Sequence, residues 1–347
     1  MWPLRRHSSA PIKLALQGGG AHGAYTWGVL DALLERQAAL RIAAASGASA
    51  GAMNALVLAH GLATGGADGA RAALARFWHA VAEGGAPFGW LLDGDGLHPA
   101  PRAWLHWTTT LLAPTQWNPM ALNPLRDILL QQVDFERLRS QRDALPLFIA
   151  ATHATSGRLR LFTNRELSVE AALASACLPT LHHTVTIDGE PYWDGAYAAN
   201  PALFPLICEV PRGAGDDLLL VLLAPLDHEP KLPTSADEIR ERTIDIAFNA
   251  TFLREARMLA EVERRSRATA WLRRGPLERS VMRQRWHLID GGADLVALKR
   301  DTKLIAHRPL LERLRDLGRE RTLRWLDGGG LGRRSSLDLG ATFGPPA

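Results

Sequence analysis

The sequence predicts an α/β fold in which a mainly parallel central sheet is packed between helices. Three observations predict it. Short apolar runs alternate with segments of helical spacing over about the first 60 residues. Each of the first two runs ends in a glycine-rich turn, and further apolar runs recur at 146–154 and 217–225. Because strands joined by helices lie parallel, this alternation is typical of βαβ units that share one sheet.

The first unit begins with IKLALQ at 12–17, which we predict to be a strand running into three glycines. Apolar residues at helical spacing follow at 24–36 and predict a helix. The second unit repeats this order, with a strand at 41–46, the turn GASAG, and a helix that ends at Gly61. The start of the chain is therefore predicted to form two successive βα units.

The segment 62–125 is rich in glycine, proline and tryptophan, and it separates short helices predicted near 70–83 and 103–112. An insertion that covers a site and an irregular surface excursion both fit this composition. The tryptophans within 78–117 could lie at a lipid surface, or they could pack in the ordinary way. The sequence leaves these alternatives open.

The remainder of the chain returns to regular patterns. A hairpin-like stretch carries Asp194, and the last third is predicted to be helical and rich in arginine. The amphipathic helix 309–327 is expected to pack on the domain rather than on a membrane. The tail after Gly328 is predicted to be disordered, because it is rich in Gly, Ser and Arg. The other predicted elements are a helix at 123–133, strands at 146–154 and 158–164, a helix at 168–178 and a strand at 217–225.

Composition and charge limit the class of protein. The 347 residues include 47% apolar and 22% charged residues, as in globular proteins with a large core. The net charge of +4 arises from arginines with acids interspersed, so no nucleic-acid interface is predicted. A weak attraction to anionic membranes is left open. With no run of 18 apolar residues and no secretory h-region, neither a spanning helix nor a signal peptide is predicted.

Cysteine and histidine usage predicts a cytoplasmic protein without a metal site. Cys177 and Cys208 lie in apolar surroundings without C-x-x-C spacing, so we expect two buried thiols in a reducing compartment. The 12 histidines form no metal-binding pattern, and no metal or cofactor is predicted. Residues 1–10 are expected to be a loose leader.

Residues 47–51 have the pattern G-x-S-x-G, with Ser49 at its centre. Between a strand and a helix this pattern is typical of a nucleophile elbow, which holds the serine in a strained conformation. Small neighbours are needed because backbone crowds the turn, and the helix N-terminus behind it favours negative charge. We interpret Ser49 as a nucleophile. The alternative is a tight turn with an incidental serine.

The glycine loop, GGGAHG at 18–23, is a second turn between a strand and a helix. Successive glycines let backbone N–H groups point into one concavity that can hold an anion. The loop fits a dinucleotide phosphate site through Gly18, Gly20 and Gly23, or an oxyanion hole that serves Ser49. A dinucleotide site requires an acid at the end of the second strand. GASAG stands there instead, which favours the oxyanion hole.

The residues alone leave open which group accepts the serine proton. His153, His182 and His183 are candidates for a catalytic triad, although no local pattern singles one out. Asp194 precedes Gly-Ala and an Asn-Pro turn, which can present a carboxylate with little bulk around it. A carboxylate can act as the base by itself. Asp290, in an Asp-Gly-Gly, is not excluded by spacing.

In this order, the glycine loop, the GASAG turn and the Asp-Gly-Ala at 194–196 resemble the patatin-like phospholipase family. ASACLPT before the acid and YWDGAYAANPALFPL around it are similar to family segments. The resemblance covers about residues 13–208 and, more loosely, the last third. It implies a three-layer α/β/α sandwich with a nucleophile elbow, and a dyad in which Ser49 is the nucleophile and Asp194 the base.

The same resemblance implies the supporting residues and favours Asp194 over Asp290 and over the histidines. Two departures concern the glycine loop, because many relatives have an aspartate where this chain has Gln17, and Arg or Lys where it has His22. His22 could supply a pH-dependent positive charge or be structural. Gly-Ala after the acid is a mild variant of Gly-Gly. Backbone N–H groups of Gly19, Gly20 and Ala21 would form the oxyanion hole, with Gly18, Gly23, Gly47, Gly51 and Gly195 supporting the motifs.

The implied activity is hydrolysis of lipid acyl esters through an acyl-serine, without metal or cofactor. A lipid acyl ester is the expected partner, with peripheral membrane contact left open and no nucleic acid. We expect residues 13–208 to form the catalytic domain, 209–327 to complete it or pack on it, and 328–347 to be disordered. The alternatives are a non-catalytic lipid-binding protein and a nucleotide-binding protein that uses the glycine loop. The acyl donor, whether phospholipid, glyceride or storage polyester, is not predicted.

Overall fold

The computed structural model describes residues 11–36, 40–85, 91–93, 96–141, 144–211, 215–224, 226, 232–268, 273–298, 300–331 and 334–344. The leader predicted at 1–10 and the last three residues of the predicted tail lie outside these ranges. In the part of the chain that the structure describes, no helix combines the length and the apolar character needed to span a bilayer.

An eight-stranded sheet forms the centre of the molecule. The strands of the chain are β1 (Ile12–Leu16), β2 (Ile42–Ala48), β3 (Leu92–Asp93), β4 (Gly96–Leu97), β5 (Leu147–His153), β6 (Leu159–Thr163), β7 (Val185–Ile187), β8 (Glu190–Asp194), β9 (Asp217–Leu222) and β10 (Arg285–Asp290). The order in the sheet is β10-β9-β1-β2-β5-β8-β7, and β6 also pairs with β5. Strands β3 and β4 form a separate two-stranded ribbon.

The sheet changes from parallel to antiparallel at β5. Strands β10, β9, β1, β2 and β5 are parallel neighbours, as the βαβ pattern predicts. Strands β6 and β8 run antiparallel to β5, and β7 runs antiparallel to β8. The turns after β5 and β7 are too short for a parallel crossover, which requires a dozen residues or more.

Helices cover both faces of the sheet. They are α1 (Gly23–Arg36), α2 (Ala50–Gly85), α3 (Pro99–Leu111), α4 (Pro114–Trp117), α5 (Pro124–Gln132), α6 (Phe135–Ser140), α7 (Val169–Ser175), α8 (Phe204–Cys208), α9 (Ala236–Arg267), α10 (Pro276–Arg283), α11 (Gly292–Val296), α12 (Arg308–Asp327) and α13 (Leu339–Phe343). Helices α1, α2, α7 and α12 share one buried core, and α8, α9, α10 and α13 share a second.

Strand β1 shows how the two cores are separated. Leu14 and Leu16 belong to the first core and Ala15 to the second. Successive residues of a strand point to opposite faces, so one apolar strand serves both layers. The predicted three-layer α/β/α sandwich with parallel strands at its centre is therefore confirmed.

Helix α2 is two helical segments that fold back on each other. Gly65 and Gly66 have non-helical backbone angles and divide it. The indole N–H of Trp78 in the second segment donates to Asn54 Oδ1 in the first, at 3.0 Å. In a straight helix two residues so far apart in sequence would be separated by roughly 36 Å. The predicted pair of helices is thus present, although the first continues past Gly61.

Strand β10 corrects the prediction of an entirely helical last third. Its charged and polar residues conceal the strand in the sequence. In the structure, the Arg285 guanidinium binds both carboxylate oxygens of Asp217 at 2.7 Å, and the buried His287 contacts Asp217 Oδ1 at 3.0 Å. Mutual pairing of these charges on neighbouring strands allows them to lie inside the sheet.

Two further expectations are corrected. The tail predicted to be disordered contains helix α13, in which Leu339 and Phe343 are buried against α9 and Phe343 packs edge-on against Phe252. A few apolar residues suffice to order this short segment. Cys208 is exposed, whereas Cys177 is buried as expected, because Cys208 ends α8 on the side away from the core.

Candidate active site

Ser49 occupies a sharp turn between β2 and α2. Its backbone lies in the left-handed region, with a φ of 52°, which is strained for a residue with a side chain. Crowding explains its small neighbours, since a Cβ on Gly51 would come within 2.1 Å of the Leu16 carbonyl oxygen. Gly47, two residues before the serine, packs against Gly51 in the same way. The local geometry is therefore that of a nucleophile elbow.

Strand β5 brings Ser49 and Asp194 together. One edge of β5 pairs first with β2, up to Ala48 opposite Ala150. The same edge then pairs with β8, beginning at Asp194 opposite Ala151, while β6 occupies the other edge. Because Ser49 directly follows Ala48, the serine and the aspartate arrive from opposite directions at adjacent positions along one edge.

The Asp194 carboxylate is removed from solvent, and the residue is only 1% exposed. Burial raises the pKa of Asp194 to about 7, while hydrogen bonds from the Ala196 N–H and the Ser49 side chain oppose the rise. The Ala196 N–H donates to Asp194 Oδ1 at 2.8 Å. A carboxyl group with a pKa near neutrality can both accept and return a proton at physiological pH.

The segment that ends α7 fixes the backbone of both residues. The Ser49 N–H donates to the Ser175 carbonyl at 3.1 Å and to Ser175 Oγ at 3.0 Å. The Asp194 N–H donates to the Cys177 carbonyl at 2.8 Å. These residues lie in ASACLPT, which the sequence marks only by its similarity to a family segment. Their part in holding the elbow was not predicted.

The glycine loop lies directly against the elbow. A Cβ on Gly18 would approach Ser49 Cβ to 2.8 Å. Gly20 has a φ of 60°, and a Cβ there would meet the Lys303 carbonyl oxygen at 2.1 Å, so no side chain fits. Among the described residues, no acceptor pairs with the backbone N–H groups of Gly19, Gly20 and Ala21. Gly23 starts α1 beside the first residue of α2.

Gln17 connects the glycine loop to three other segments. Its Oε1 accepts hydrogen bonds from the N–H groups of Leu223 and Ala224, at 2.6 and 2.8 Å, beyond the end of β9. Its Nε2 donates to Asn249 Oδ1 on α9 at 2.9 Å and to the Asn200 carbonyl oxygen at 3.4 Å. Asn200, which follows the acid, accepts the Gly18 N–H at 2.7 Å through its Oδ1. The Gln17 amide therefore both donates and accepts hydrogen bonds. An aspartate at this position could not replace the donated bonds, because a carboxylate has no N–H.

His22 is a structural residue of the loop. It is 1% exposed, and its Nε2 lies 2.7 Å from Thr302 Oγ1. Burial and the nearby Lys303 lower the pKa of His22 to about 3, so the ring is neutral at physiological pH. The alternative that His22 supplies a positive charge to the site is therefore not supported.

Two of the other candidate bases, His153 and His183, are hydrogen-bonded elsewhere. His153 Nε2 contacts Glu190 Oε2 at 2.7 Å, and His183 Nε2 lies 2.7 Å from the Asn118 carbonyl oxygen. His182 is surrounded by protein, and burial lowers its pKa. Asp290 ends β10, three strands away from β2 in the sheet. Within the described part of the chain, no hydrogen bond joins any of these four side chains to Ser49.

The chemical capability of the site follows from three features: a strained serine, a buried carboxylate with a raised pKa, and backbone donors without acceptors. Together they can move a proton away from a hydroxyl and stabilise an oxyanion beside it. Across the described residues, no group of three or more His, Cys, Asp or Glu side chains is arranged to hold a metal ion. Gly195, the residue after Asp194, packs tightly against β5, since a Cβ there would lie 2.1 Å from the Ala150 carbonyl oxygen.

One family model matches more than half of the chain. The family model described as patatin-like phospholipase matches residues 14–207. The crystal structure of VipD from Legionella pneumophila is similar at a TM-score of 0.42 and 16% identity, covering 92% of this chain and 67% of that one. At that score the two structures are only loosely alike, and the likeness carries no argument about activity. No curated protein matches the chain in sequence.

Proposed function

Because the chain belongs to the patatin-like phospholipase family of lipid acyl hydrolases, we propose that it cleaves lipid acyl esters with a dyad of Ser49 and Asp194. One observation carries the proposal: the two residues meet along a single edge of β5, where the carboxylate is buried against the serine. A hydroxyl paired with a carboxylate of near-neutral pKa is equipped for nucleophilic catalysis.

The reaction proceeds in two halves. Ser49 Oγ attacks the ester carbonyl carbon, its proton passes to Asp194, and the carbonyl oxygen becomes an oxyanion. When the intermediate collapses, the ester C–O bond breaks and the leaving alcohol takes the proton from Asp194. A water molecule then attacks the acyl-serine and passes its proton to Asp194. When this second intermediate collapses, the C–O bond to Ser49 Oγ breaks, Asp194 returns the proton to Oγ, and the fatty acid is released.

Backbone N–H groups of Gly19, Gly20 and Ala21 stabilise the oxyanion in this proposal. They are suited to it because no acceptor among the described residues competes for them. Each well-placed donor of this kind contributes on the order of 3 kcal/mol to the transition state. The N-terminus of α2, directly after Ser49, adds a favourable partial positive charge.

The proposal extends to domain organisation and location. We propose that residues 13–208 carry the catalytic residues and that 209–327 complete the same domain, since β9 and β10 extend its sheet. Exposed and buried thiols at Cys208 and Cys177 are compatible with the reducing cytoplasm. The proposed substrate is a lipid acyl ester, as the family assignment supports.

The test is labelling with a fluorophosphonate, which reacts with activated serines, combined with hydrolysis of a short soluble ester. Wild type is expected to label and to hydrolyse the ester, whereas Ser49→Ala should do neither. Asp194→Asn should label at least about a hundredfold more slowly, because the base is lost. Asp290→Asn is the matched control, since it removes a carboxylate at the end of another strand, and should behave like wild type.

Three outcomes would contradict the proposal. Rapid labelling of Asp194→Asn would eliminate Asp194 as the base and return His182 or His183 to consideration. Labelling of Ser49→Ala would place the reactive serine elsewhere. An unlabelled but folded wild type would favour a non-catalytic lipid-binding protein, or a nucleotide-binding protein if a nucleotide bound equally well to wild type and Ser49→Ala.

A further inference from the structure

Helix α3 (Pro99–Leu111) rests on the protein without burying any residue. Its most exposed large side chains are apolar: Trp104 is 67% exposed, Trp107 is 60% exposed and Leu111 is 69% exposed. Trp78, by contrast, is buried in α2 and packs in the ordinary way. The tryptophans that the sequence groups together therefore have two different environments, and those of α3 are in solvent.

The polarity of α3 is reversed relative to that of an ordinary surface helix. Between 101 and 111 its exposed residues are Arg102, Ala103, Trp104, Trp107, Thr110 and Leu111, and the large apolar ones, Trp104, Trp107 and Leu111, lie at helical spacing on one side. Of the half-buried residues, His106, Thr108 and Thr109 are polar and Pro101 and Leu105 are apolar. A helix that packs on a globular core turns its apolar stripe inward. Here the apolar stripe points outward.

The exposed apolar residues continue beyond α3. Leu112, Met120 and Leu122 are 42%, 78% and 66% exposed. We call the set Trp104, Trp107, Leu111, Leu112, Met120 and Leu122 the 104–122 surface. Six large apolar side chains within nineteen residues form a concentration that isolated surface residues do not explain.

Contacts before and within this surface tie it to the candidate active site. Just before it, the Leu97 N–H and the Arg102 guanidinium bind the Asp301 carboxylate, next to the Thr302 that contacts His22. Between Leu112 and Met120, the Asn118 carbonyl oxygen lies 2.7 Å from His183 Nε2. The surface therefore bridges from the glycine loop to the chain segment before Asp194.

Charge distribution over the same stretch is one-sided. Residues 96–126 contain no Asp or Glu, although the chain has 36 acidic residues in total. They contain Arg102 and Arg126, together with His98 and His106. A stretch without acids is not repelled by an anionic lipid headgroup layer, and exposed tryptophans favour the boundary between headgroups and acyl chains.

We propose that the 104–122 surface docks on a phospholipid bilayer and holds the candidate active site against it. This inference rests on the proposed function, because a lipid acyl ester must be drawn from such a layer. The outward apolar stripe of α3 enters the headgroup boundary lying flat, as an interfacial amphipathic helix does. Tethers at Asp301 and His183 keep the docked surface next to the glycine loop and the acid.

Flotation with phospholipid vesicles tests the docking. The test variant is Trp104→Ser/Trp107→Ser/Leu111→Ser, and the matched control is Leu159→Ser/Met258→Ser/Leu277→Ser, which removes three exposed apolar side chains from β6, α9 and α10. Vesicles of phosphatidylcholine with and without phosphatidylglycerol are used. We expect the test variant to lose at least about tenfold in partitioning relative to wild type and control, since buried apolar area drives binding.

Hydrolysis of a short soluble ester and labelling by the fluorophosphonate are measured on the same preparations. In the test variant both should stay within about twofold of wild type, while hydrolysis of vesicle phospholipid falls in parallel with binding. The thermal unfolding midpoint checks that the variant is folded; because the replaced side chains are exposed, it should not fall. Phosphatidylglycerol should strengthen the binding of wild type and control.

Several results would overturn the docking proposal. One is equal vesicle binding by test variant and wild type. Another is wild type that hydrolyses the soluble ester but does not float with either vesicle, which would leave the proposed function standing. A third is that wild type self-associates but binds no vesicles, while the test variant does not self-associate. That result would mean that the surface binds a second copy of the chain. Vesicle binding that depends on the surface, with no esterase activity, would support docking and overturn the proposed function instead.

Discussion

At the scale of single residues, Asp194 combines two opposing demands. Burial raises its pKa to about 7, so the carboxylate is a much stronger base than an exposed aspartate. The same burial destabilises the charged, reactive form of the carboxylate relative to its protonated form. Hydrogen bonds from Ala196 and Ser49 supply part of the stabilisation that water would otherwise give.

The pH dependence of activity follows from that pKa. Asp194 must be ionised to accept the serine proton, so kcat/KM for a soluble ester should rise with pH, with a midpoint at about 7. His22 does not titrate in this range, because its pKa is lowered to about 3. The measurement is a kcat/KM profile of wild type beside Asp290→Asn, which should share the midpoint. A midpoint near that of an ordinary aspartate would contradict the role given to burial.

Sequence reasoning predicts some of these residues and not others. Ser49 and Asp194 belong to short motifs whose chemistry can be interpreted locally. Gln17, Ser175 and Asn200 do not, because each acts through a contact with a residue more than a hundred positions away. A sequence shows residue types along the chain, but such pairings depend on strand order and register.

At the scale of elements, helix α2 depends on a polar link between its two segments. Asn54, fully buried, donates through Nδ2 to the Gly23 carbonyl at 3.0 Å and accepts from the Trp78 indole at 3.0 Å. One side chain thereby joins the helix after the elbow, its returning segment and the end of the glycine loop.

Replacing Asn54 with Leu should lower the free energy of unfolding by about 2 to 4 kcal/mol. The reason is that the Gly23 carbonyl and the Trp78 indole would both lose a hydrogen-bond partner in a dry interior. Urea denaturation of wild type, Asn54→Leu and Trp78→Phe measures the effect. Trp78→Phe removes the same indole hydrogen bond and also part of a buried ring, so it too should be destabilising. Equal stability of Asn54→Leu and wild type would mean that the link is dispensable.

Elements with a clear apolar period were predictable, and those stabilised by distant pairing were not. Strands β1, β2 and β5 and helix α1 follow from local patterns and agree with the structure. Strand β10 does not follow from its local pattern. Its Arg285 and His287 can lie inside the sheet only because both contact the Asp217 carboxylate on β9. Helix α13 is likewise held by α9 rather than by its own sequence.

At the scale of the whole molecule, the C-terminal third is part of the sheet. The family model ends at residue 207, yet β9 lies between β10 and β1 in the sheet order. Residues of β9 contribute to both buried cores. The main chain at Lys303 also lies against Gly20 in the glycine loop. These contacts support the proposal that residues 209–327 complete the catalytic domain.

A chain ending at residue 208 should therefore fail to fold into an active monomer. It would lack β9 and β10, leave the apolar edge of β1 unpaired and expose the core beneath α9. Gel filtration, circular dichroism and fluorophosphonate labelling, each beside the full chain, measure the outcome. A monomeric 1–208 fragment that labels like the full chain would show that the matched region is autonomous.

The shared edge of β5 has a consequence for how the protein loses activity. Strand β8 joins β5 through only three residue pairs, at Ala151, Thr152 and His153. A slip of one residue along this short ladder would turn Asp194 toward the opposite face of the sheet, away from Ser49. Local opening of so small a pairing needs less free energy than global unfolding. With Asp194 as the proposed base, a heated or partly denatured molecule would thus lose its activity while still largely folded.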